Sequence, residues 1–212
     1  MTFNHGYKQY LKDKSWLWLS FSGVLLLGAS LVANFYTTKY ASVSMSNPVS
    51  DIILSNIRVF DVDGIYAYGG IIFWSFLFLL ALSKPAKIPF ISKSVALFVL
   101  IRSIFISLTH IAASPAHLII APSRFFGMFS YYGDLFFSGH TGLPFLMALI
   151  FWDNKRLRIF FLAASVFFGT VVLLGHLHYS IDVFGAFFIT YSIYQIAVKI
   201  FKKDKALFDS KI

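Results

Sequence analysis

Residues 16–36 read WLWLSFSGVLLLGASLVANFY, an apolar run without one charged side chain. About 20 apolar residues in a helix are long enough to cross the hydrocarbon core of a bilayer. Residues 16–36 therefore predict a membrane-spanning helix. The apolar core of a signal peptide is shorter, about 7–15 residues, and no clear small-residue cleavage site follows the run, so we expect the helix to be retained.

Five further apolar segments follow in the chain. Together with the first they give predicted spans at 16–36, 65–82, 94–112, 138–152, 158–176 and 180–200. The fourth span is short enough to be a buried core helix, but charged residues flank it and favour a membrane span. The pattern predicts an all-α membrane protein, a six-transmembrane-helix bundle that forms a single catalytic domain over residues 1–212.

The composition also favours lipid as the main solvent. Hydrophobic residues make up 58% of the chain and charged residues 13%, against roughly half and a quarter in soluble domains. A net charge of +9 in a soluble protein would suggest nucleic acid as a partner. Here the basic residues form short clusters between apolar runs, so we expect membrane lipids as partners and no nucleic acid. The chain has no cysteine, which excludes disulfides.

The basic residues alternate between the two sides of the predicted bundle. Fourteen of the 18 Lys and Arg residues lie in the N-terminus, the second and fourth connections and the C-terminus. The alternate connections hold only Lys39, Arg58 and Arg124. Because cytoplasmic segments are enriched in Lys and Arg, this distribution predicts that both termini are cytoplasmic. Residues 37–64, 113–137 and 177–179 then lie on the opposite side, and the length of 113–137 is typical of a functional loop.

A first polar motif precedes the fourth span, where Ser138-Gly139-His140-Thr141 follows Gly133-Asp134. Ser138 is a favoured helix N-cap, which would place the next three residues in the first helical turn. Unpaired N–H groups and a partial positive charge make a helix N-terminus a good phosphate site. A simple capped helix start is the alternative interpretation of the same residues.

A second motif, His176-Leu177-His178-Tyr179-Ser180-Ile181-Asp182, precedes and enters the sixth span. His178 and Asp182 are four residues apart and share a face if the sixth helix begins near His178. A carboxylate that accepts from one imidazole nitrogen leaves the other nitrogen available as a nucleophile. An acidic residue inside a span usually faces the protein interior or a functional pathway. A structural ion pair is the alternative role for Asp182.

Arg102 lies inside the third span, with Thr109 seven residues later on nearly the same face. The planar guanidinium suits phosphate oxygens, and a structural pairing with Asp182 is the alternative. The three groups together predict phosphoryl transfer, in which one His attacks phosphorus and another moves a proton. A metal site of two His and one carboxylate is the rival chemistry. We expect no metal and no cofactor, because phosphate-binding elements are present and no further ligand cluster is evident.

The two motifs together resemble the sphingomyelin synthase branch of the lipid phosphate phosphatase/phosphotransferase (type 2 phosphatidic acid phosphatase) superfamily. Arg102 with Thr109 resembles the third-helix motif of that branch, and spacing extends the resemblance over roughly residues 50–200. The resemblance implies six transmembrane helices, an exoplasmic site and a phospho-histidine intermediate. It also implies that His178 is the nucleophile, Asp182 its orienting carboxylate and His140 the proton donor to the leaving alcohol.

Seven further residues are expected to contact substrate or phosphate. They are Arg102, Ser138, Gly139, Thr141, Asp134, His176 and Tyr179. The chain departs from the wider phosphatase pattern, which places Ser-Arg six to seven residues before the nucleophilic His. Val171 and Val172 occupy those positions here, so Arg102 is the candidate phosphate clamp, and the synthase-like branch is favoured.

The sequence thus predicts a lipid phosphotransferase or phosphohydrolase that acts on a phospholipid headgroup. Its partners would be the phospholipid substrate and a lipid alcohol or water as acceptor, and association into a homo-oligomer is left open. A phosphatase of phosphatidate or polyprenyl pyrophosphate is the alternative within the same chemistry. A non-enzymatic transporter or scaffold, with Arg102 and Asp182 in a relay, is the alternative from another class. We expect a bacterial inner-membrane protein whose active site faces the periplasm.

Overall fold

A computed structural model of the chain describes residues 3–115 and 135–210, and every regular element in those two stretches is a helix. The α-helices are α1 Phe3–Tyr10, α2 Lys14–Val43, α3 Asp63–Ser83, α4 Ile88–Leu108, α5 Gly139–Ile150, α6 Lys155–Leu174, α7 Ser180–Ile200 and α8 Lys202–Asp209. Short 3₁₀ turns lie at Leu54–Asn56 and Pro85–Lys87. The all-helical prediction is confirmed for these residues.

Five of the helices are long and apolar enough to cross a membrane, namely α2, α3, α4 with its preceding turn, α6 and α7. The predicted span 180–200 coincides with α7, and the predicted span 65–82 lies within α3. The fourth predicted span, 138–152, contains α5, which has only 12 residues. The count of six spans and the cytoplasmic location of both termini therefore stay predictions.

Three helix boundaries differ from the sequence prediction by four residues or more, for local reasons. Helix α2 continues seven residues beyond Tyr36, because the polar residues that follow still fit a helix. Helix α4 begins at Ile88 rather than 94, since Pro89 suits a first helical turn, and it ends at Leu108. Thr109 has extended backbone beyond that end, so the prediction that it shares a helical face with Arg102 is wrong.

Helix α5 lies in the centre of the bundle, where it is surrounded by other helices. Leu146, Met147 and Ala148 are fully buried, which explains why this helix is apolar on every side. Gly142 permits the close approach, because a Cβ there would lie 2.8 Å from both the Phe98 ring and the Thr190 hydroxyl. Helices α2 and α3 are peripheral instead and expose many apolar side chains.

One end of the bundle is basic and is closed by the two short terminal helices. Lys93 of α4 forms a buried ion pair with Asp204 of α8 at 2.6 Å. The Lys87 ammonium lies 3.6 Å from the centre of the Phe208 ring, also in α8. The hydroxyl of Tyr7 in α1 donates to the carbonyl O of Leu82, at the end of α3. The N-terminal region, the α3–α4 connection and the C-terminal region therefore meet at this end.

The opposite end is built from the connection between α2 and α3 and from the α6–α7 turn. The Phe60 N–H donates to the carbonyl O of Leu174 at 2.9 Å. The Asp51 carboxylate accepts from the Ser180 N–H at 2.6 Å, at the start of α7. The two sequence motifs lie at this end, away from the cluster of basic residues.

Candidate active site

His178 and Asp182 lie against each other at the start of α7. His178 Nδ1 is 3.3 Å from Asp182 Oδ2, and both side chains are buried, at 5% and 0% exposed. Helix α7 begins at Ser180, so His178 precedes the helix and the two residues do not share a helical face as predicted. Asp182 lies in the first turn of α7, and its carboxylate also accepts from the Tyr179 N–H at 3.0 Å. This bond turns the carboxylate back toward the residues before the helix, where it meets His178.

The contacts of His178 fix which ring nitrogen carries the proton. Nδ1 lies 2.9 Å from the carbonyl O of Leu135 as well as 3.3 Å from Asp182 Oδ2. A carbonyl and a carboxylate only accept hydrogen bonds, so Nδ1 must donate to them. In the neutral ring, Nε2 then holds the lone pair, and it makes no hydrogen bond within the described residues. This is the arrangement that a nucleophilic histidine requires.

Asp182 also has the electrostatic environment to support positive charge on His178. Its second oxygen, Oδ1, is buried and has no hydrogen-bond partner among residues 3–115 and 135–210. A carboxylate that is withdrawn from water attracts a nearby imidazolium more strongly than an exposed one. The Asp182 carboxylate accepts hydrogen bonds from His178 and Tyr179. The structure therefore does not support the alternative that Asp182 pairs with Arg102.

The two sequence motifs are joined directly through the backbone. The Ser138 N–H donates to the carbonyl O of Asp182 at 3.1 Å, and Leu135 contributes the carbonyl that His178 contacts. Ser138 is the N-cap of α5, and its hydroxyl accepts from the Thr141 N–H at 3.3 Å. The N-terminus of α5 therefore lies beside the start of α7, and the predicted N-cap is confirmed.

Arg102 approaches the same helix N-terminus from α4. Its Nε donates to the carbonyl O of Phe137 at 2.7 Å. A Cβ at Gly139 would lie 3.4 Å from that nitrogen, so the guanidinium packs directly over the first residue of α5. Arg102 is buried, yet it lines the cavity described below. A buried guanidinium over a helix N-terminus creates a strongly positive environment, which suits a phosphate.

His140 faces the site from the first turn of α5 and is held by three neighbours. Its ring centre lies 4.1 Å from that of Tyr66 and 5.9 Å from that of Phe168. A Cβ at Gly70 would lie 3.0 Å from His140 Nε2, so the imidazole rests against the backbone of α3. Aromatic rings and the glycine surface therefore fix the position of this imidazole.

A cavity of about 180 Å³ joins these groups. Its polar lining comes from the outer turns of the helices, and consists of Asn34, Tyr66, Arg102, Gly139, His140 and His178. Its apolar lining lies mostly about one turn further toward the basic end, and includes Leu31, Phe73, Trp74, Phe98, Val99, Leu143, Pro144 and Phe168. The cavity therefore has a polar layer above an apolar layer, which matches an amphipathic ligand.

Besides the N-cap Ser138, which is fully buried, four of the predicted contact residues lie away from the cavity wall or outside the described part of the chain. The Thr141 hydroxyl is directed to Ser138, and the buried Tyr179 hydroxyl donates to the carbonyl O of Ala112. His176 has a left-handed backbone with φ of 52°, and its buried ring has no hydrogen-bond partner among the described residues. Asp134 lies outside the described residues. The predicted substrate contacts of these four residues stay predictions.

Two residues in this region were not identified from the sequence. Asn34 of α2 lines the cavity, and an amide inside an apolar span is the signal that points to it. Asp51 accepts N–H groups from Ser180, Ile53 and Leu54. Burial raises the pKa of Asp51, but these N–H groups and the Ser180 hydroxyl together lower it below its ordinary value of 3.8. Asp51 is therefore an anionic cap for the helix that follows His178.

The rival metal chemistry can be compared with the same geometry. In the part of the chain that the structure describes, no three His, Asp or Glu side chains are grouped as ligands for a metal ion. His178 uses Nδ1 for Asp182 and Leu135, an arrangement that holds a ring in place for chemistry at Nε2.

The described residues form helices, five of them long and apolar enough to cross a membrane, and they bring together a His–Asp pair and a helix N-terminus beneath a buried guanidinium. The model of the family described as PAP2 superfamily C-terminal matches residues 132–199. This match supports membership of the PAP2 superfamily, and it covers His140, His178 and Asp182 but not Arg102. No curated protein and no solved structure matches the chain. A match to this family model suggests phosphatase or phosphotransferase activity on lipid phosphates.

Proposed function

We propose that the protein is a membrane-embedded enzyme that cleaves a phosphate ester in a lipid headgroup through a phospho-histidine at His178. The observation that carries this proposal is the orientation of His178. Its Nδ1 is held by Asp182 and by the carbonyl O of Leu135, while its side chain lines the cavity beside Arg102 and His140. Nucleophile, proton donor and anion-binding groups therefore surround one small space, as phosphoryl transfer requires.

In the first step, His178 Nε2 attacks phosphorus and the bond from phosphorus to the leaving oxygen breaks. His140 gives its proton to that oxygen, so the product leaves as a neutral alcohol. Asp182 and the carbonyl O of Leu135 stabilise the positive charge that develops on the His178 ring. Arg102 and the N–H groups at the start of α5 hold the phosphate oxygens.

In the second step, a hydroxyl group from a lipid alcohol or from water attacks the phospho-histidine. The phosphorus–nitrogen bond breaks, and His140 takes the proton of the attacking hydroxyl, which restores both histidines. A lipid acceptor makes the reaction a transfer, and water makes it a hydrolysis. The same residues serve both outcomes, so the acceptor that enters the cavity determines the class of enzyme.

The finer assignment to a sphingomyelin synthase-like branch rests on how the phosphate is held. Val171 and Val172 stand where the wider phosphatase pattern has Ser and Arg, and Val172 is fully buried in packing. Arg102 on α4 supplies a guanidinium at the cavity instead. A transferase that moves a phospholipid headgroup to a lipid alcohol is thus the first candidate, ahead of a phosphatidate or polyprenyl pyrophosphate phosphatase.

The lipid would enter the cavity from the side, between α2 and α3. These two helices do not pack closely against each other, because α2 packs mainly on α4 and α3 packs only lightly, against both α4 and α6. Leu31 and Trp74 line the cavity, yet they are 53% and 46% exposed on the outer surface. The cavity is smaller than the roughly 300–1,000 Å³ of a typical ligand pocket, so the acyl chains would remain largely in the bilayer.

The site would face the periplasm of a bacterial inner membrane. Its motifs lie at the end of the bundle opposite Lys93, Asp204 and the terminal helices. Fourteen of the 18 basic residues belong to the segments that the charge distribution assigns to the cytoplasm. A site at the other end has direct access to the outer leaflet.

A substrate panel tests this proposal. The purified protein is incubated with labelled phosphatidylcholine, phosphatidylethanolamine, phosphatidate and a polyprenyl pyrophosphate, each with and without ceramide or diacylglycerol. We expect cleavage of at least one phospholipid and transfer of its headgroup when the lipid alcohol is present. Release of inorganic phosphate from phosphatidate or the pyrophosphate alone would indicate the phosphatase alternative. Binding without turnover of any lipid would contradict the proposal and favour a transporter or scaffold.

A further inference from the structure

Asn34 is a polar residue near the end of the apolar part of α2, and it forms part of the cavity wall. It lies in α2, two residues before the end of the charge-free run at 16–36, and is half-buried. Its Oδ1 lies 3.3 Å from the hydroxyl of Ser103, whose single proton is shared between this amide oxygen and the carbonyl O of Val99 at 2.8 Å. This contact orients the amide, and the Nδ2 group makes no hydrogen bond within the described residues.

The contact with Ser103 shows where the Asn34 amide lies along the axis of the bundle. Ser103 follows Arg102 in α4, so the Asn34 amide lies at about the level of the guanidinium. Leu31, one turn away in α2, belongs to the apolar layer and is 53% exposed. Asn34 therefore stands at the boundary between the phosphate-binding groups and the side through which the chains would leave. Asn34 belongs to α2, whereas Arg102 is on α4, His140 is on α5 and His178 immediately precedes α7.

A diacyl lipid placed in this cavity has its two acyl ester groups near that boundary. Its phosphate lies at Arg102 and the start of α5, and its chains pass Leu31 toward the bilayer. Between the phosphate and the chain lies the acyl carbonyl, an acceptor of hydrogen bonds. We propose that Asn34 is a specificity-determining residue whose side-chain N–H donates to this acyl carbonyl, an inference that rests on the proposed function.

This pairing explains why an amide is present at a position where lipid-facing helices usually carry apolar side chains. A half-buried amide N–H that loses its partner carries a desolvation cost, so a ligand without a carbonyl binds less well. The site would therefore prefer acyl lipids to ether lipids with the same headgroup and chain length. The preference is expected to be about fivefold in affinity, the usual effect of one neutral hydrogen bond.

Paired binding measurements test the proposal on the full chain carrying His178→Ala, which prevents turnover. The probes are diacyl phosphatidate and dialkyl ether phosphatidate of equal chain length, titrated in detergent micelles and followed by intrinsic tryptophan fluorescence. Trp74 lines the cavity and reports on occupancy. We expect the diacyl lipid to bind about fivefold more tightly while Asn34 is present. Asn34→Leu and Asn34→Ala should each bring the ratio of the two dissociation constants close to one.

Two further variants make the test specific. Asn34→Asp keeps an oxygen at the Ser103 contact but has no N–H, so it should also lose the preference. Thr37→Val is the matched control, because the Thr37 hydroxyl bonds only to the backbone of α2 and is not part of the cavity wall. It should keep the fivefold ratio. If Asn34→Leu does not fold, Asn34→Ala and Asn34→Asp give the same comparison.

Three results would overturn the role of Asn34. They are equal binding of the two lipids when Asn34 is present, an unchanged ratio in the Asn34 variants, and no binding of either lipid. The proposed function is judged separately, by turnover of the intact chain in the substrate panel. An active enzyme with no acyl preference would remove Asn34 from recognition and leave the phospho-histidine chemistry in place.

Discussion

The backbone N–H of Ser138 donates to the carbonyl O of Asp182 at 3.1 Å, and this bond joins the two halves of the site. Ser138 caps the helix that carries His140, and Asp182 orients His178. A shift of one helix relative to the other would therefore change the distance between nucleophile and proton donor. The site depends on how α5 and α7 pack together as much as on the side chains themselves.

Asp182→Asn should reduce turnover by at least about a hundredfold. Both the Tyr179 N–H and His178 Nδ1 donate to Asp182 Oδ2, so the amide oxygen of Asn can take the same place. The variant then keeps the geometry but loses the negative charge that stabilises an imidazolium. Steady-state kinetics with the lipid identified by the substrate panel measure the effect. Asp209→Asn, an exposed carboxylate at the other end, is the control and should retain full activity.

Gly70→Ala should displace His140 without removing a catalytic group. The added Cβ would lie 3.0 Å from His140 Nε2, so the imidazole must move by a few tenths of an ångström. Because proton transfer depends on position, we expect roughly a tenfold lower rate, with a larger effect on lipids whose alcohol is a poor leaving group. Gly64→Ala in the same helix is the control, since nothing lies within 4 Å of its Cβ. Equal slowing for good and poor leaving groups would argue against His140 as the acid.

Arg102→Lys should weaken binding of the phosphate while the charge is kept. The Arg102 Nε donates to the carbonyl O of Phe137, and the planar group lies over Gly139. A lysine ammonium cannot reproduce this fork, so the KM for the lipid substrate should rise about tenfold. Arg58→Lys, an exposed substitution of the same kind, is the control. Wild-type kinetics in the Arg102 variant would show that Arg102 does not hold the phosphate.

Asp51→Asn should destabilise the start of α7 in a pH-dependent way. The folded-state pKa of Asp51 lies below 3.8, so its anionic form contributes stability above that pH. This contribution is lost as the pH falls through the lower folded-state pKa. At neutral pH we expect a loss of about 1 kcal/mol, the usual cost of a lost helix cap. Thermal unfolding of the wild type and the variant measures this loss of stability. The measurements run from about pH 3, roughly one unit below the ordinary pKa of Asp, to about pH 7.

The difference between the wild-type and Asp51→Asn unfolding temperatures should therefore narrow as the solution becomes acidic. A difference that stays constant over this range would show that the carboxylate charge does not stabilise the helix. Ser55→Ala is the control in the same connection, because the Ser55 side chain is exposed and its backbone N–H still donates to the backbone carbonyl O of Asp51.

Local features of the sequence predicted much of the fold and part of the site. Ser138 was predicted as an N-cap because its chemistry is local, and α7 coincides with an apolar run that starts after a turn. Thr109 was misplaced because no glycine or proline marks the end of α4, and the first such residue after Leu108 is Pro115. Helix ends in apolar segments carry few sequence signals.

The contacts between distant segments could not be read from the sequence. The carbonyl O of Leu135 holds His178, but a backbone group has no residue signature. Asp51 lies 129 positions from Ser180, and its role depends on how the connection folds over α7. The position of Arg102 beside His140 likewise depends on the packing of α4 against α5, since residue spacing alone allowed either a phosphate clamp or an ion pair with Asp182.

A covalent phosphate on His178 is the central claim, and trapping it is the most direct measurement. The protein is mixed with a phospholipid that carries radioactive phosphorus, quenched in base within one turnover and analysed by mass spectrometry of its peptides. We expect base-stable, acid-labile label on His178 in the wild type and none in His178→Ala. Full turnover by His178→Ala, or label on another residue, would contradict the mechanism.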